Sequence, residues 1–380
     1  MRNDIFDKSG RLIIRFRVIY LWIFLLIGFS KTESIFTQNL SNQFLFYSAA
    51  KKKEVKIQNI HDWEEQRYRI LESLQEVMGP IPDWSSLPPI TVRFIDTLEA
   101  EKYIRYNIIF LANKDEQVPA LLYIPKKNGI SGKLPGILAL HPTGKLGKLI
   151  IDGQGLKNRE YGRELAERGY IVIAPDYPGF GGLSHYNFEN DPYASGTMAA
   201  IFYNMRCIDL LLDFTDVDPD RIGVIGHSLG GHNAMFTAAF DERLKVTVSS
   251  CGWTQLNYYE RGEAVNKRYG GRLGPFAQEV YMPLFRDKYQ LVGENIPFDF
   301  HEIIALIAPR GFFSNSPIND SNFQVKGVLR GYELSKEVYE AMGVCNNLHI
   351  EYPEAEHDFP YEIRQNAYEF IDKILKNSRP

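Results

Sequence analysis

A serine flanked by glycines places the strongest constraint on how this chain folds. Residues 226–231 read Gly-His-Ser-Leu-Gly-Gly, after a β-rich run and before a helical run at 233–240. A Gly-x-Ser-x-Gly between a strand and a helix predicts a turn so tight that the flanking positions must be nearly free of side chains, as Gly226 and Gly230 are. Such a turn exposes the Ser228 hydroxyl above the positive end of a helix, as a nucleophile requires. The alternative is an incidental serine in a glycine-rich turn.

Strand and helix patterns alternate on both sides of this motif. The predicted strands are 90–96, 103–111, 118–124, 134–140, 170–174, 221–225, 244–250, 311–314 and 348–352. The predicted helices are 61–78, 161–168, 198–214, 233–240, 333–342 and 361–375. The first three strands indicate an antiparallel opening, and the repeated β-α units after them predict an α/β fold. That fold has a mainly parallel central sheet with helices on both faces.

The composition and charge of the chain indicate which binding partners can be expected. The 380 residues are 44% hydrophobic and 24% charged, with a net charge of −4 and no basic stripe in the body of the chain. Nucleic acid is therefore not an expected partner. The three cysteines, Cys207, Cys251 and Cys345, are odd in number and widely spaced. They predict neither a disulfide framework nor a metal site.

The N-terminus has the layout of an export signal. The basic residues Arg11, Arg15 and Arg17 precede the apolar run at residues 18–29. This run is short for a membrane span, which needs ~20 residues. We interpret residues 1–30 as a cleaved signal peptide, with an uncleaved membrane anchor at 18–29 or a buried helix as alternatives. Either of the first two interpretations predicts a periplasmic or extracellular protein.

The rest of the chain divides into a linker and one large domain. Residues 31–60 are polar and irregular, which is typical of a linker. Residues 61–380 form the predicted main domain, which opens with a helix and antiparallel strands. Residues 252–301 interrupt it between two core strands. Long insertions at such positions often form lids or pocket walls, so we expect a lid-like role.

A nucleophilic serine needs a general base, and the base needs an orienting acid. In this fold class the partners follow the serine in the order acid, then histidine. His357 lies after the last predicted strand and is the candidate base; a surface histidine is the alternative. Asp320 follows the strand before it and is the sole carboxylate between Glu302 and Glu333. We assign it as the acid that orients His357, although an Asx turn would also explain it.

An oxyanion hole requires two backbone donors near the serine. The amide of Leu229, directly after Ser228, is the first candidate. The second should lie in the loop after the strand 134–140. Pro142 has no N–H, so Thr143 is the candidate and Gly144 the alternative.

Two further residues are weaker candidates for substrate binding. Trp253 lies in the insertion and could contact a sugar ring or an acyl group, or belong to the insertion's own core. Arg206 lies on the apolar face of a helix, where a buried guanidinium needs a partner. It could reach a substrate carboxylate, although a structural pairing with an acid is favoured.

These motifs together resemble a known family. The chain is similar to α/β-hydrolases of the dienelactone-hydrolase-like group, which also includes bacterial acetyl-xylan esterases. The resemblance covers roughly residues 75–380. It rests on the serine motif and on the segments 135–142, 169–179, 218–223 and 357–360. Dienelactone hydrolases proper use a cysteine nucleophile, whereas this chain has Ser228, and many members have His-Gly where this chain has His-Pro at 141–142.

The resemblance implies a serine carboxylic-ester hydrolase that works through an acyl-enzyme. It implies no metal and no organic cofactor, and an ester substrate, either a small molecule or an acylated carbohydrate. A dienelactone-hydrolase-like or peptidase-like activity is the enzymatic alternative. An inactive hydrolase scaffold that acts as a binding protein is the alternative from a different class.

Overall fold

Nine strands form one sheet in the computed structural model, which describes residues 40, 43–126 and 132–376. The strands of the described chain are β1 (Phe44–Ser48), β2 (Lys53–Ile57), β3 (Val92–Glu99), β4 (Tyr103–Leu111), β5 (Gln117–Pro125), β6 (Leu134–Leu140), β7 (Ile171–Pro175), β8 (Val217–His227), β9 (Leu244–Ser250), β10 (Gly311–Asn315) and β11 (Leu348–Glu351). The α-helices are α1 (Ile60–Met78), α2 (Tyr161–Glu167), α3 (Gly196–Asp213), α4 (Leu229–Phe240), α5 (Glu263–Tyr269), α6 (Leu284–Asp287), α7 (Phe300–Ile307), α8 (Val325–Ala341) and α9 (Tyr361–Leu375).

The order of the strands confirms the predicted fold class. The sheet runs β11-β10-β9-β8-β6-β7-β5-β4-β3. Strands β3, β4 and β5 pair antiparallel, β5 pairs antiparallel with β7, and the strands from β7 to β11 pair parallel to their neighbours. This is the α/β-hydrolase arrangement, in which a mainly parallel sheet carries its reactive loops at the carboxyl ends of the strands.

Helices bury both faces of the sheet, which explains the continuous apolar runs. In β6, Leu138 and Leu140 join the core under α3, α4, α7 and α8, whereas Ile137 and Ala139 join the core under α2 and α9. Successive side chains of a strand point to opposite faces, so a strand covered on both sides must be apolar throughout. The sheet is therefore a rigid base for the loops at its carboxyl edge.

The predicted linker is wrong for the part of residues 31–60 that the structure describes. Strands β1 and β2 pair as an antiparallel hairpin. The Phe46 ring packs edge-on against Trp63 of α1, with ring centroids 5.4 Å apart. His301 of α7 contacts the carbonyl of Tyr47 at 2.8 Å, and the amide of Ala49 donates to the Glu302 carboxylate at 3.2 Å. The hairpin is therefore part of the main domain.

Some element boundaries also differ from the sequence-based prediction. Helix α8 begins at Val325 rather than at residue 333, and α7 was not predicted at all. Asp299 and Glu302 form a reciprocal capping box at the start of α7. The segment 251–299, between β9 and α7, contains the two short helices α5 and α6.

The predicted signal peptide or anchor at residues 1–30 lies outside the described residues. Within the part of the chain that the structure describes, no helix is both long enough and apolar enough to cross a membrane.

Candidate active site

Ser228 lies in the strained turn that the sequence predicts. Its φ and ψ are 54° and −118°, a conformation that residues other than glycine rarely adopt. The turn is fixed by its amide, which donates to the carbonyl of Ser250 at 2.8 Å. A Cβ on Gly226 would lie 2.2 Å from the carbonyl carbon of Gly230, and a Cβ on Gly230 would lie 2.0 Å from the oxygen of Leu140. Both positions therefore require glycine.

His357 lies within hydrogen-bonding distance of both Ser228 and Asp320. His357 Nε2 is 2.9 Å from Ser228 Oγ, and His357 Nδ1 is 2.9 Å and 3.0 Å from the two carboxylate oxygens of Asp320. Asp320 Oδ1 also accepts the amides of Asn322 at 2.7 Å and Phe323 at 3.1 Å. The Asx turn and the contact with His357 thus occur together, because the turn holds the buried carboxylate in place.

A set of contacts that the sequence analysis missed holds the loop carrying His357. Arg159 donates to the carbonyl of His357 at 3.1 Å and to the carboxylate of Asp358 at 2.5 Å. From the sheet side, Asn315 Nδ2 and Cys251 Sγ contact the carbonyl of Asp358 at 2.8 Å and 3.2 Å. Neither spacing nor composition singles out Arg159. Only the fold brings it to the loop, 198 positions from His357.

Two buried histidines near the nucleophile are neutral. The His227 ring lies 4.9 Å from the His357 ring, and its Nδ1 is 2.9 Å from Ser250 Oγ. Burial and the positive charge of Arg159 hold the pKa of His227 well below its usual range. Burial lowers the pKa of His232 to about 4. Neither imidazole contributes a positive charge beside His357 at neutral pH.

The two candidate oxyanion donors have free amides. Leu229 is the first residue of α4, where backbone N–H groups have no partner within the helix. Among residues 43–126 and 132–376, neither Leu229 nor Thr143 has an acceptor for its backbone N–H. The Thr143 side chain contacts the Tyr281 hydroxyl, with 3.0 Å between the two oxygens. Both residues line the same cavity as Ser228 and His357.

His141 braces the loop that carries Thr143. Its Nε2 accepts the amide of Tyr177 at 3.0 Å, so Nδ1 carries the proton that is shared with the carbonyl of Pro142 at 2.7 Å. Burial lowers the pKa of His141, which favours this neutral form.

Ser228 opens into a cavity of about 680 Å³. The size suits a ligand of one or two sugar units. The segment 251–299 supplies much of the wall, through Tyr259, Tyr269, Phe276 and Tyr281. Within the described chain the lining includes arginines, histidines and tyrosines but no carboxylate. The segment 251–299 therefore shapes the cavity.

The weaker predictions for Trp253 and Arg206 are corrected, because neither residue lines the cavity. Trp253 is buried, and its indole N–H donates to Ser314 Oγ at 2.9 Å. Arg206 is buried in α3, where it pairs with Asp209 at 2.7 Å and donates to the carbonyls of Ala112 and Pro88. Trp253 is therefore a core residue, and Arg206 forms a structural ion pair.

Comparison with known proteins gives a consistent result. The sequence profile of the family "Glucuronyl esterase, fungi" matches residues 183–343. The protein YtaP of Bacillus subtilis (strain 168), whose name describes it as a hydrolase, is 29% identical over 315 residues, which cover 80% of this chain and 98% of that protein. A 4-O-methyl-glucuronoyl methylesterase of Hypocrea jecorina (strain QM6a) is 26% identical over 208 residues, which cover 50% of this chain and 43% of that enzyme.

Solved structures share the fold at lower sequence identity. A carbohydrate esterase family 15 glucuronoyl esterase from Caldicellulosiruptor kristjansonii has a TM-score of 0.64 at 23% identity, over 86% of this chain and 89% of that one. An acetyl xylan esterase from Paenibacillus sp. R4 has a TM-score of 0.53 at 16% identity, over 80% of this chain and 99% of that one. The predicted resemblance to hydrolases that include acetyl-xylan esterases is confirmed. The chain is a carboxylic ester hydrolase with the α/β-hydrolase fold, and it is similar to the esterases named above.

Proposed function

We propose that this protein is a serine esterase that hydrolyses esters of carbohydrates, with a uronic acid as the acyl group. The observation that carries the proposal is the alignment of Ser228, His357 and Asp320 at the base of a cavity with room for a sugar ring. The family profile supports it, because the matched residues 183–343 include Ser228, Asp320 and the cavity-lining residues of the segment 251–299.

The geometry supports a two-step acyl transfer. His357 Nε2 takes the proton of Ser228 as the oxygen attacks the ester carbonyl, and Asp320 stabilises the imidazolium that results. The amides of Leu229 and Thr143 hold the oxyanion. The alcohol leaves with the proton from His357, and the acyl group remains on Ser228. Water, deprotonated by His357, then attacks the acyl-enzyme and releases the carboxylic acid and the serine.

The cavity has room for a sugar ring on the acyl side of the ester. An acetyl group alone would leave most of a cavity of about 680 Å³ unfilled. A sugar ring fills more of it, and the tyrosine and phenylalanine side chains of the wall offer flat faces for a ring. A glucuronate ester places its ring on the acyl side, which agrees with the relatives named as glucuronoyl esterases.

Acetylated carbohydrate is the second candidate, because an acetyl xylan esterase shares the fold over 80% of this chain. In that case the sugar is the alcohol, and the cavity would hold the leaving group.

A substrate panel distinguishes the two candidates. Methyl glucuronate, benzyl glucuronate, p-nitrophenyl acetate and acetylated xylan are each incubated with the purified protein, and the acid released is measured by titration. We expect the two glucuronate esters to have the highest kcat/KM, and the Ser228→Ala variant to hydrolyse none. A preference for acetyl esters would favour the second candidate, and no hydrolysis of any ester would contradict both.

We also propose that residues 1–30 direct export, because polymeric carbohydrate lies outside the cell. Fusion of residues 1–40 to a reporter enzyme that is active only after export tests this. An inactive fusion would contradict it.

A further inference from the structure

No strand or helix contains Thr143, whose amide is the second candidate oxyanion donor. The loop that carries it begins where β6 ends, at Leu140. The residue before it is Pro142, which has no N–H to anchor the chain. The residue after it is Gly144, which has the widest conformational freedom. The side-chain contacts of His141, at the Pro142 carbonyl, and of Thr143 itself therefore help to set the direction of the Thr143 amide.

Tyr281, which lines the same cavity, supplies such a contact. Its hydroxyl lies 3.0 Å from Thr143 Oγ1. Within residues 43–126 and 132–376, the Thr143 side chain makes this one hydrogen bond. Tyr281 belongs to the segment 251–299, far from the sheet in sequence. The contact thus joins the cavity wall to the candidate oxyanion loop.

Tyr281 is itself held in place by the body of the fold. Its amide donates to the carbonyl of Gln278 at 2.8 Å, and its carbonyl accepts the amide of Thr197 at the start of α3 at 3.2 Å. The neighbouring carbonyl of Val280 accepts the hydroxyl of Tyr177 at 2.9 Å. Because its backbone is held by these hydrogen bonds, the Tyr281 side chain can hold Thr143 in a fixed position.

Tyr177 and Tyr281 contact the two residues that flank Pro142, since Tyr177 contacts His141 and Tyr281 contacts Thr143. The amide of Tyr177 donates to His141, and His141 contacts the carbonyl of Pro142. The ring of Tyr177 lies 6.3 Å from the ring of Tyr281. His141 therefore supports the loop from the sheet side while Tyr281 supports it from the cavity side.

We propose that Tyr281 is a positioning residue for catalysis, which holds the Thr143 amide in the oxyanion hole through its hydroxyl. The inference rests on the proposed function and adds that the insertion takes part in the chemical step. Oriented donors stabilise the transition state more than the ground state. Loss of the Tyr281 hydroxyl should therefore lower kcat and leave KM nearly unchanged.

Burial is consistent with this role. It raises the pKa of Tyr281 above its ordinary value. The hydroxyl thus stays protonated at neutral pH and remains available as a hydrogen-bond donor or acceptor for Thr143.

The test compares Tyr281→Phe with Tyr258→Phe on the best ester of the substrate panel. Tyr258 is an exposed tyrosine of the same insertion and does not line the cavity. We expect Tyr281→Phe to lower kcat by about 10-fold, less than the loss of a whole oxyanion donor, with KM within about 2-fold of wild type. Tyr258→Phe should match the wild type.

Two further measurements separate positioning from a general loss of structure. Affinity for a trifluoromethyl ketone, which forms an oxyanion on Ser228, should fall in proportion to kcat/KM in Tyr281→Phe. Thr143→Val should lower kcat by a similar factor, and the double variant should be no slower than the slower single variant, because both remove one contact. If the losses of kcat in the two single variants multiplied in the double variant, or if Tyr281→Phe changed KM alone, the inference would be overturned. If Tyr281→Phe is fully active while Ser228→Ala is inactive, the inference fails but the proposed function stands.

Discussion

Arg159 donates a hydrogen bond to the backbone carbonyl of His357 at 3.1 Å, while the same guanidinium binds the carboxylate of Asp358. Two contacts with one guanidinium therefore fix the loop at the carbonyl of His357 and at the next residue. A small displacement of a general base is costly, because proton transfer requires hydrogen-bond distance to the nucleophile.

Replacement of Arg159 by lysine should impair positioning. A lysine can keep one ion pair with Asp358 but cannot reproduce the planar fork. We expect Arg159→Lys to lower kcat by about 10-fold while KM changes little. Steady-state kinetics on the best ester, with the melting temperature measured in parallel, check this. A variant with normal kcat would show that Asn315 and Cys251 suffice to hold the loop.

Removal of the nucleophile or the base should abolish most activity. We expect Ser228→Ala and His357→Ala each to lower kcat by ~10³-fold or more. A fluorophosphonate probe should label the wild type and fail to label Ser228→Ala. Labelling that persists in that variant would place the nucleophile elsewhere.

The acid should matter less than the other two residues. Asp320→Asn keeps an oxygen that can accept the amides of Asn322 and Phe323, so the turn survives while the charge that stabilises the imidazolium is lost. We expect a smaller loss of kcat than in His357→Ala, and a larger loss in Asp320→Ala, which also removes the turn. Full activity of Asp320→Asn would show that the assigned acid is wrong.

Trp253→Phe should change stability rather than substrate binding. The substitution removes the hydrogen bond to Ser314 and leaves a small void in a buried region. We expect a loss of about 1 to 2 kcal/mol of unfolding free energy and an unchanged KM. Urea denaturation and steady-state kinetics give the two values. A raised KM with unchanged stability would show that Trp253 contributes to substrate binding.

Acid should destabilise the fold partly through His232. Burial lowers its pKa to about 4 in the folded protein, against about 6.5 in the unfolded chain. The unfolded state thus binds more protons between these values, and stability falls as the pH drops from about 6.5 to about 4. His232→Phe keeps a ring against Phe276 and should make this slope shallower by up to one proton. Urea denaturation at several pH values measures the slope. An identical slope would show that folding does not lower the pKa of His232.

Local patterns in the sequence predict the sheet, and they select His357 and Asp320 as the partners of Ser228. Strands β4, β6 and β9 and helix α9 have the predicted bounds, because buried strands and amphipathic helices have strong periodicity. The positions of His357 and Asp320 follow from the order of the strands, since each lies on the loop after a later parallel strand.

Other features could not be predicted, because they depend on contacts between distant segments. Arg159 meets His357 only after the sheet has formed, and Tyr281 meets Thr143 only when the insertion has folded back over the cavity. The indole of Trp253 could have pointed into the cavity or into the core, and its sequence context does not distinguish the two. The β1–β2 hairpin escaped prediction because its stability comes from packing on α1 and α7 rather than from its own short strands.

That hairpin determines where a shortened version of the protein should start. A truncation at residue 61, the predicted start of the main domain, would expose Trp63 to solvent and leave the His301 ring and the Glu302 carboxylate without their contacts at Tyr47 and Ala49. Recombinant fragments for crystallisation should therefore keep all residues from Phe44 onward. A shorter fragment would expose an apolar and partly charged surface and would be prone to aggregation.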